Sequence, residues 1–159
     1  MSEEYGSAGP ERTRVLRIIG WIEISGALYG LWALVGLHQP TVPVGWGPPT
    51  LAGLVCFYFV SLFGGILLIR MTPWGVRVSI GLQFVQSVWL RSNGFEYLLY
   101  SGACFFLRLF GIGDAAQLQI GSGFTLRAAQ QDAPPYVAIN VFSVCLLALL
   151  LRNHPKPAG

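Results

Sequence analysis

Charge is what this sequence has least of. Of its 159 residues, 11% are charged, where an ordinary soluble domain carries roughly 25%. A single small domain is mostly surface, so this little charge cannot clothe a water-facing exterior. Lysine occurs once, at Lys156, and no run of basic residues exists. With a net charge of +3, the chain has no basic face for nucleic acid. Cys56, Cys104 and Cys145 are widely spaced, form no CxxC pair and read as free structural thiols. His38 and His154 fall at opposite ends of the apolar segments and cannot share a metal or a haem. Walker, Rossmann, HExxH and GxSxG motifs are all missing. No cofactor, metal or catalytic residue is therefore assigned.

What is present is apolar: 53% of the residues are hydrophobic, gathered in long runs. Val15 to Leu37 is long enough to cross a bilayer, which takes about 20 residues. It is too long for the core of a secretory signal and reads as a retained helix. The loop from His38 to Thr50, with four prolines and two glycines, cannot continue it. A second, uncharged run covers Leu51 to Ile69 and ends at the basic turn Arg70-Met71-Thr72-Pro73. A third helix is expected over residues 74–92 and a fourth over 136–151, the latter short for a span.

Between them, Gln117-Leu118-Gln119-Ile120 and Phe124-Thr125-Leu126-Arg127 alternate polar with apolar residues, the period of a strand. Open strand edges cannot lie in lipid, so residues 93–135 are placed outside the membrane as a small β-hairpin element. The competing readings are a fifth span over 95–112, or a third helix prolonged to about residue 108. Glu96, Arg108, Ser101-Gly102 and the turn-like Gly111-Ile112-Gly113-Asp114 weigh against a span. The expected fold is thus a four-helix transmembrane bundle with a β-hairpin between helices three and four. Residues 1–14 and 152–159 form polar tails.

Arginine distribution orients this bundle. Arg12, Arg14 and Arg17 precede or open the first helix, Arg70 and Arg77 flank the second turn, and Arg152 and Lys156 close the chain. The 38–50 loop has none. Both termini are expected in the cytoplasm, in a multi-pass protein of a bacterial inner membrane. Arg91, Arg108 and Arg127 on the external segment weaken the contrast.

Polar residues at membrane depth are the candidate site. Glu23 lies about 12 Å into helix one and Gln83 about 13 Å into helix three. Gln86 and Asn140 lie level with one another about 18 Å up, counted the same way. A buried seam follows, in which Glu23 meets Gln83 and Asn140 meets Gln86. An intramembrane carboxylate can be a proton or ion site. The structural reading is preferred for Glu23, as a carboxyl that is protonated or paired with Arg77, because no other acidic residue or histidine lies in a span. Gly26 and Gly30 have GxxxG spacing, which lets helices approach closely. Packing within one chain is the plain reading and a homodimer face the sharper one.

Three stretches carry a resemblance: Arg77 to Gln86, Tyr100-Ser101-Gly102, and Ala138-Ile139-Asn140-Val141. Over residues 60–151 their order resembles that of a type of small uncharacterised four-helix membrane protein found in many bacteria. That resemblance implies a membrane fold and brings no activity or site residue. The expected role is a structural or accessory subunit of a membrane complex, with the lipid bilayer, other membrane subunits or self-association as partners. A small oligomeric transporter or channel lined by Glu23 and the glutamine stripe is the alternative, and a membrane enzyme acting on lipid or quinone the weaker one.

Overall fold

A computed structural model describes residues 9–36, 48–92, 95–110, 116–127 and 134–153. The 38–47 part of the proline-rich loop, the Gly111–Asp114 turn, residues 1–8 and the tail from 154 onward lie outside the described residues.

Two helices are long and apolar enough to cross a membrane. Helix α1 is Pro10–Gly36 and α2 is Pro48–Ile69, about 40 and 33 Å long at 1.5 Å per residue. Helix α1 starts earlier than the apolar run. Pro10 has the fixed φ of a first helical residue and Glu11 sits in the first turn, where a carboxylate suits the helix dipole. Along both helices large apolar side chains face outward: Ile18, Trp21, Leu28, Trp32, Phe59, Val60 and Phe63 are all exposed.

The four-helix transmembrane bundle is overturned. Helix α3, Pro73–Gln86, and α4, Val141–Arg152, have 14 and 12 residues, about 21 and 18 Å, too short for a hydrocarbon core of about 30 Å. The segments expected to complete them are strands: β1 is Val88–Ser92 and β4 is Tyr136–Asn140. With β2, Phe95–Phe110, and β3, Ala116–Arg127, they make a four-stranded antiparallel sheet in the order β1-β4-β2-β3. The long β2–β3 hairpin is therefore part of a larger sheet, and 95–110 is neither a fifth span nor an extension of α3.

A polar residue marks each switch between helix and strand, Ser87 where α3 gives way to β1 and Asn140 where β4 gives way to α4. Thr72 caps α3 by accepting from the Gly75 amide at 3.1 Å. At the other end Ser87 turns its hydroxyl onto the Phe84 carbonyl at 2.6 Å, and Val88 and Trp89, residues suited to strands, continue extended. Asn140 has β backbone angles (φ −79°, ψ 96°) and caps α4. The two junctions lie side by side, because the Asn140 amide donates to the Ser87 carbonyl at 2.8 Å and Val88 pairs with Ile139. The helix pair α3/α4 thus passes into the strand pair β1/β4 at one level.

Strand β1 is antiparallel to β2 and to β4, and β2 is antiparallel to β4. Three straight strands cannot satisfy all three relations, so β2 reverses between Tyr97, which faces β1, and Phe106, which faces β4. Gly102 lies in that reversal and pairs with Gly121 of β3, where a missing side chain on both strands allows tight coiling. The sheet is thereby curled back on itself, so that β1 and β4 are each paired on both sides while β3 remains an edge strand.

Leu16 and Ile19 of α1, Leu68 of α2, Val76 of α3 and Leu146 and Leu150 of α4 form one core cluster. All four helices therefore meet at the end that carries the α2–α3 turn. Leu99 of β2 packs with Leu54 and Tyr58 of α2, beside Leu31 and Leu34 of α1, so the sheet lies against the far halves of the two long helices.

Candidate functional site

Two glycine contacts set the depth of everything in the helical layer. A Cβ at Gly20 would lie 2.8 Å from the Gly65 carbonyl oxygen, and one at Gly65 would lie 2.7 Å from the Gly20 oxygen. The α1 and α2 backbones touch there. Gly30 is covered by the Tyr58 ring, which a Cβ would overlap, and Gly26 is buried. Gly30 thus serves packing inside the chain. Gly64 leaves room for Glu23, whose Oε2 would lie 3.6 Å from a Cβ at that position.

Glu23 is buried against α3. Ser79 Oγ donates to its Oε2 at 2.7 Å and Gln83 Nε2 to its Oε1 at 3.2 Å. Both carboxyl oxygens have a donor. Arg77, one turn below, takes no part: its guanidinium lies 5.4 Å over the Trp74 ring. One turn above, Gln86 is also buried, and its Oε1 accepts from the Ser101 amide of β2 at 2.8 Å.

Asn140 joins four elements. Its Oδ1 accepts from the Phe105 amide at 3.2 Å and from the Ser143 amide at 3.4 Å. Its Nδ2 donates to Ser143 Oγ at 2.8 Å and to the Gln86 carbonyl at 3.4 Å. Asn140 therefore meets the main chain of Gln86, while the Gln86 side chain points to β2. Glu23, Ser79 and Gln83 form one hydrogen-bonded group, and Gln86, Asn140 and Ser143 a second one turn further along α3. Chemically they can lock α1 to α3, and α3 to the sheet and α4. A proton reaching Glu23 finds no second carboxylate or imidazole within hydrogen-bonding distance among the described residues.

A second polar cluster was not anticipated. Glu96 of β2 is buried, pairs with Arg91 of β1 at 3.0 Å, and accepts from the Tyr136 hydroxyl at 3.3 Å. The Tyr136 ring is flanked by the guanidinium carbons of Arg91 at 5.3 Å and Arg108 at 4.8 Å, and meets Trp89 edge-on at 4.9 Å. Burial pushes the Tyr136 hydroxyl up to about 12, with the Glu96 carboxylate adding to the effect. A sequence signal for this cluster existed. Asn93-Gly94 separates VWLRS from FEYLLY, the two-residue pattern of a tight hairpin, and Ser92 does pair with Phe95. That register puts Arg91 opposite Glu96.

Among the described residues no group of three or more His, Cys, Asp or Glu side chains is placed to hold a metal. No protein-family model, curated protein or solved structure matches the chain.

Proposed function

We propose that this chain is a structural or accessory subunit embedded in a membrane, holding an assembly together through its surface instead of performing chemistry. The observation that carries the reading is the contrast between a satisfied polar interior and an apolar exterior. Glu23, Gln83, Gln86 and Asn140 are all buried and hydrogen-bonded within the fold. A pore would turn the glutamines toward water, and an enzyme would converge polar groups on a pocket. On the outside of the sheet, Phe105, Leu107, Leu109 and Leu118 are exposed, the last two by 63% and 68%. An apolar surface of this kind is what a neighbouring subunit covers.

Packing supports retention of α1 in the working protein, since Leu16 and Ile19 belong to the core and Glu23 is tied to α3. We read α1 and α2 as an antiparallel membrane hairpin. The core cluster draws the start of α1, the α2–α3 turn and the end of α4 to one end, which gathers Arg12, Arg14, Arg17, Arg70, Arg77 and Arg152 there. By the positive-inside rule that end is cytoplasmic, with the sheet packed against the half of the hairpin farther from it.

A photo-crosslinking residue at Leu109 or Leu118, compared with one at Trp74, tests the role in cells. The subunit reading expects a discrete crosslinked partner from the sheet positions, and loss of its assembled complex when Leu109→Asp is introduced. The transporter reading expects the opposite pattern: purified protein alone in vesicles passing ions or solute, with Glu23→Gln abolishing the flux.

A further inference from the structure

Helices α2 and α3 do not close against each other along their whole length. Between them runs an open groove of about 370 Å³, walled by Phe57 and Val60 of α2 and by Val85 of α3, with Leu82 at its floor. The opening exists because Gly81 supplies no side chain, and a Cβ there would meet no atom within 4 Å. From Arg77 to Val85 the groove extends roughly 12 Å along the α3 axis. Its walls are hydrocarbon apart from one group, Arg77, at the end nearest the α2–α3 turn.

Arg77 is exposed and has no acidic partner among the described residues; its contact is the exposed Trp74 ring. A tryptophan beside an arginine at a helix start is the arrangement found where hydrocarbon gives way to headgroups. An unpaired guanidinium presents a fork of donors matched to a phosphate, and its charge favours a headgroup with no cation of its own to compensate that phosphate. An apolar slot ending in a free guanidinium, on a lipid-facing wall, is complementary to one kind of molecule in both shape and charge.

We infer that the α2–α3 groove binds one anionic phospholipid of the surrounding bilayer, an acyl chain lying along Gly81 between Phe57 and Val85 and the headgroup phosphate held by Arg77. This rests on the membrane reading above and adds a specific ligand to it. Because Arg77 belongs to the basic end of the molecule, the lipid comes from the leaflet on that side.

The test uses the full chain, delipidated in mild detergent and titrated with phosphatidylglycerol or phosphatidylcholine, with bound lipid counted by native mass spectrometry. One phosphatidylglycerol should be retained about tenfold more tightly than phosphatidylcholine. Arg77→Gln should reduce that preference to near unity while leaving chain binding. Gly81→Leu, which fills the slot from a position with free space, should remove the retained lipid of either kind. Equal retention of the two lipids, or a preference untouched by both variants, would overturn the site. No retained lipid at all would also overturn it, and would mark the groove as a helix-docking face. A protein that stays monodisperse in buffer without detergent would instead remove the membrane reading itself, so the two failures are distinguishable.

Discussion

Replacing Asn140 with alanine should be among the most damaging single changes, although the side chain is small and reaches no ligand. The amide holds the α4 N-cap, the Phe105 amide of β2 and the Gln86 carbonyl of α3 together. Loss of an N-cap costs about 1 kcal/mol. The Phe105 amide and Gln86 carbonyl lose their side-chain partner in a region where Asn140 is 1% exposed, at about 1 kcal/mol each, the low end for a stranded polar group. The sum is about 3 kcal/mol, or about two orders of magnitude in the folding equilibrium. Asn153→Ala is the matched control: its amide donates to the Leu149 carbonyl at 2.7 Å at the exposed end of α4, and should change stability by under about 0.5 kcal/mol. Unfolding in mixed micelles by stepwise addition of a denaturing detergent can be followed by tryptophan fluorescence. Trp89, edge-on to Tyr136 and Phe106, reports on the sheet. A loss in Asn140→Ala no larger than in Asn153→Ala would refute the view that this residue joins helices to sheet.

Glycine substitutions should divide by position. Gly65→Ala forces the α1 and α2 backbones apart and should destabilise by about 1–3 kcal/mol. Gly53→Ala has free space and should stabilise α2 by up to about 1 kcal/mol in the same titration. Glu23→Leu strands the Ser79 hydroxyl and the Gln83 amide, costing roughly 1–3 kcal/mol. Adding Ser79→Ala and Gln83→Leu should recover much of that loss, and a purely additive triple variant would contradict the pairing. Tyr136 ties alkaline stability to its cluster. Its folded pKa lies above the unfolded value of about 10, so its contribution is full below pH 10 and disappears as pH rises toward about 12. Burial also raises Tyr97 and Tyr100, so tyrosinate absorbance should show several late-titrating groups, and Tyr136→Phe should remove the one near pH 12.

Several elements were legible from residue order alone. The uncharged run from Leu51 to Ile69 allows little besides a buried or lipid-facing helix, and α2 covers it. The alternation over 117–127 has the period of a strand, and β3 lies there. Depth counting also put Glu23 level with Gln83, because axial rise along a helix depends only on the residue count. It failed for the ends of α3 and α4. Val88 to Ser92 and Tyr136 to Asn140 are apolar enough to extend a helix, and short apolar runs are ambiguous between helix and strand. Asn140 was placed at a plausible height but as a mid-helix residue, when it is the cap that begins α4. Gly20, where the α1 backbone meets that of α2 at Gly65, carries no signal of its own beside Gly26 and Gly30.

Composition and residue order by themselves determined the two long helices, since such unbroken apolar runs are long and apolar enough to cross a membrane. Tertiary structure decided where α3 and α4 stop, that β2 doubles back to close the sheet, and that Arg91, Glu96 and Tyr136 assemble. Those outcomes depend on partners distant in sequence: the Ser87–Asn140 bond, the three-way strand pairing and the Gly102–Gly121 crossing. A local window weighs only the preference of each residue for its own backbone. The choice between helix and strand at these positions rests instead on which neighbour is there to complete the hydrogen bonds.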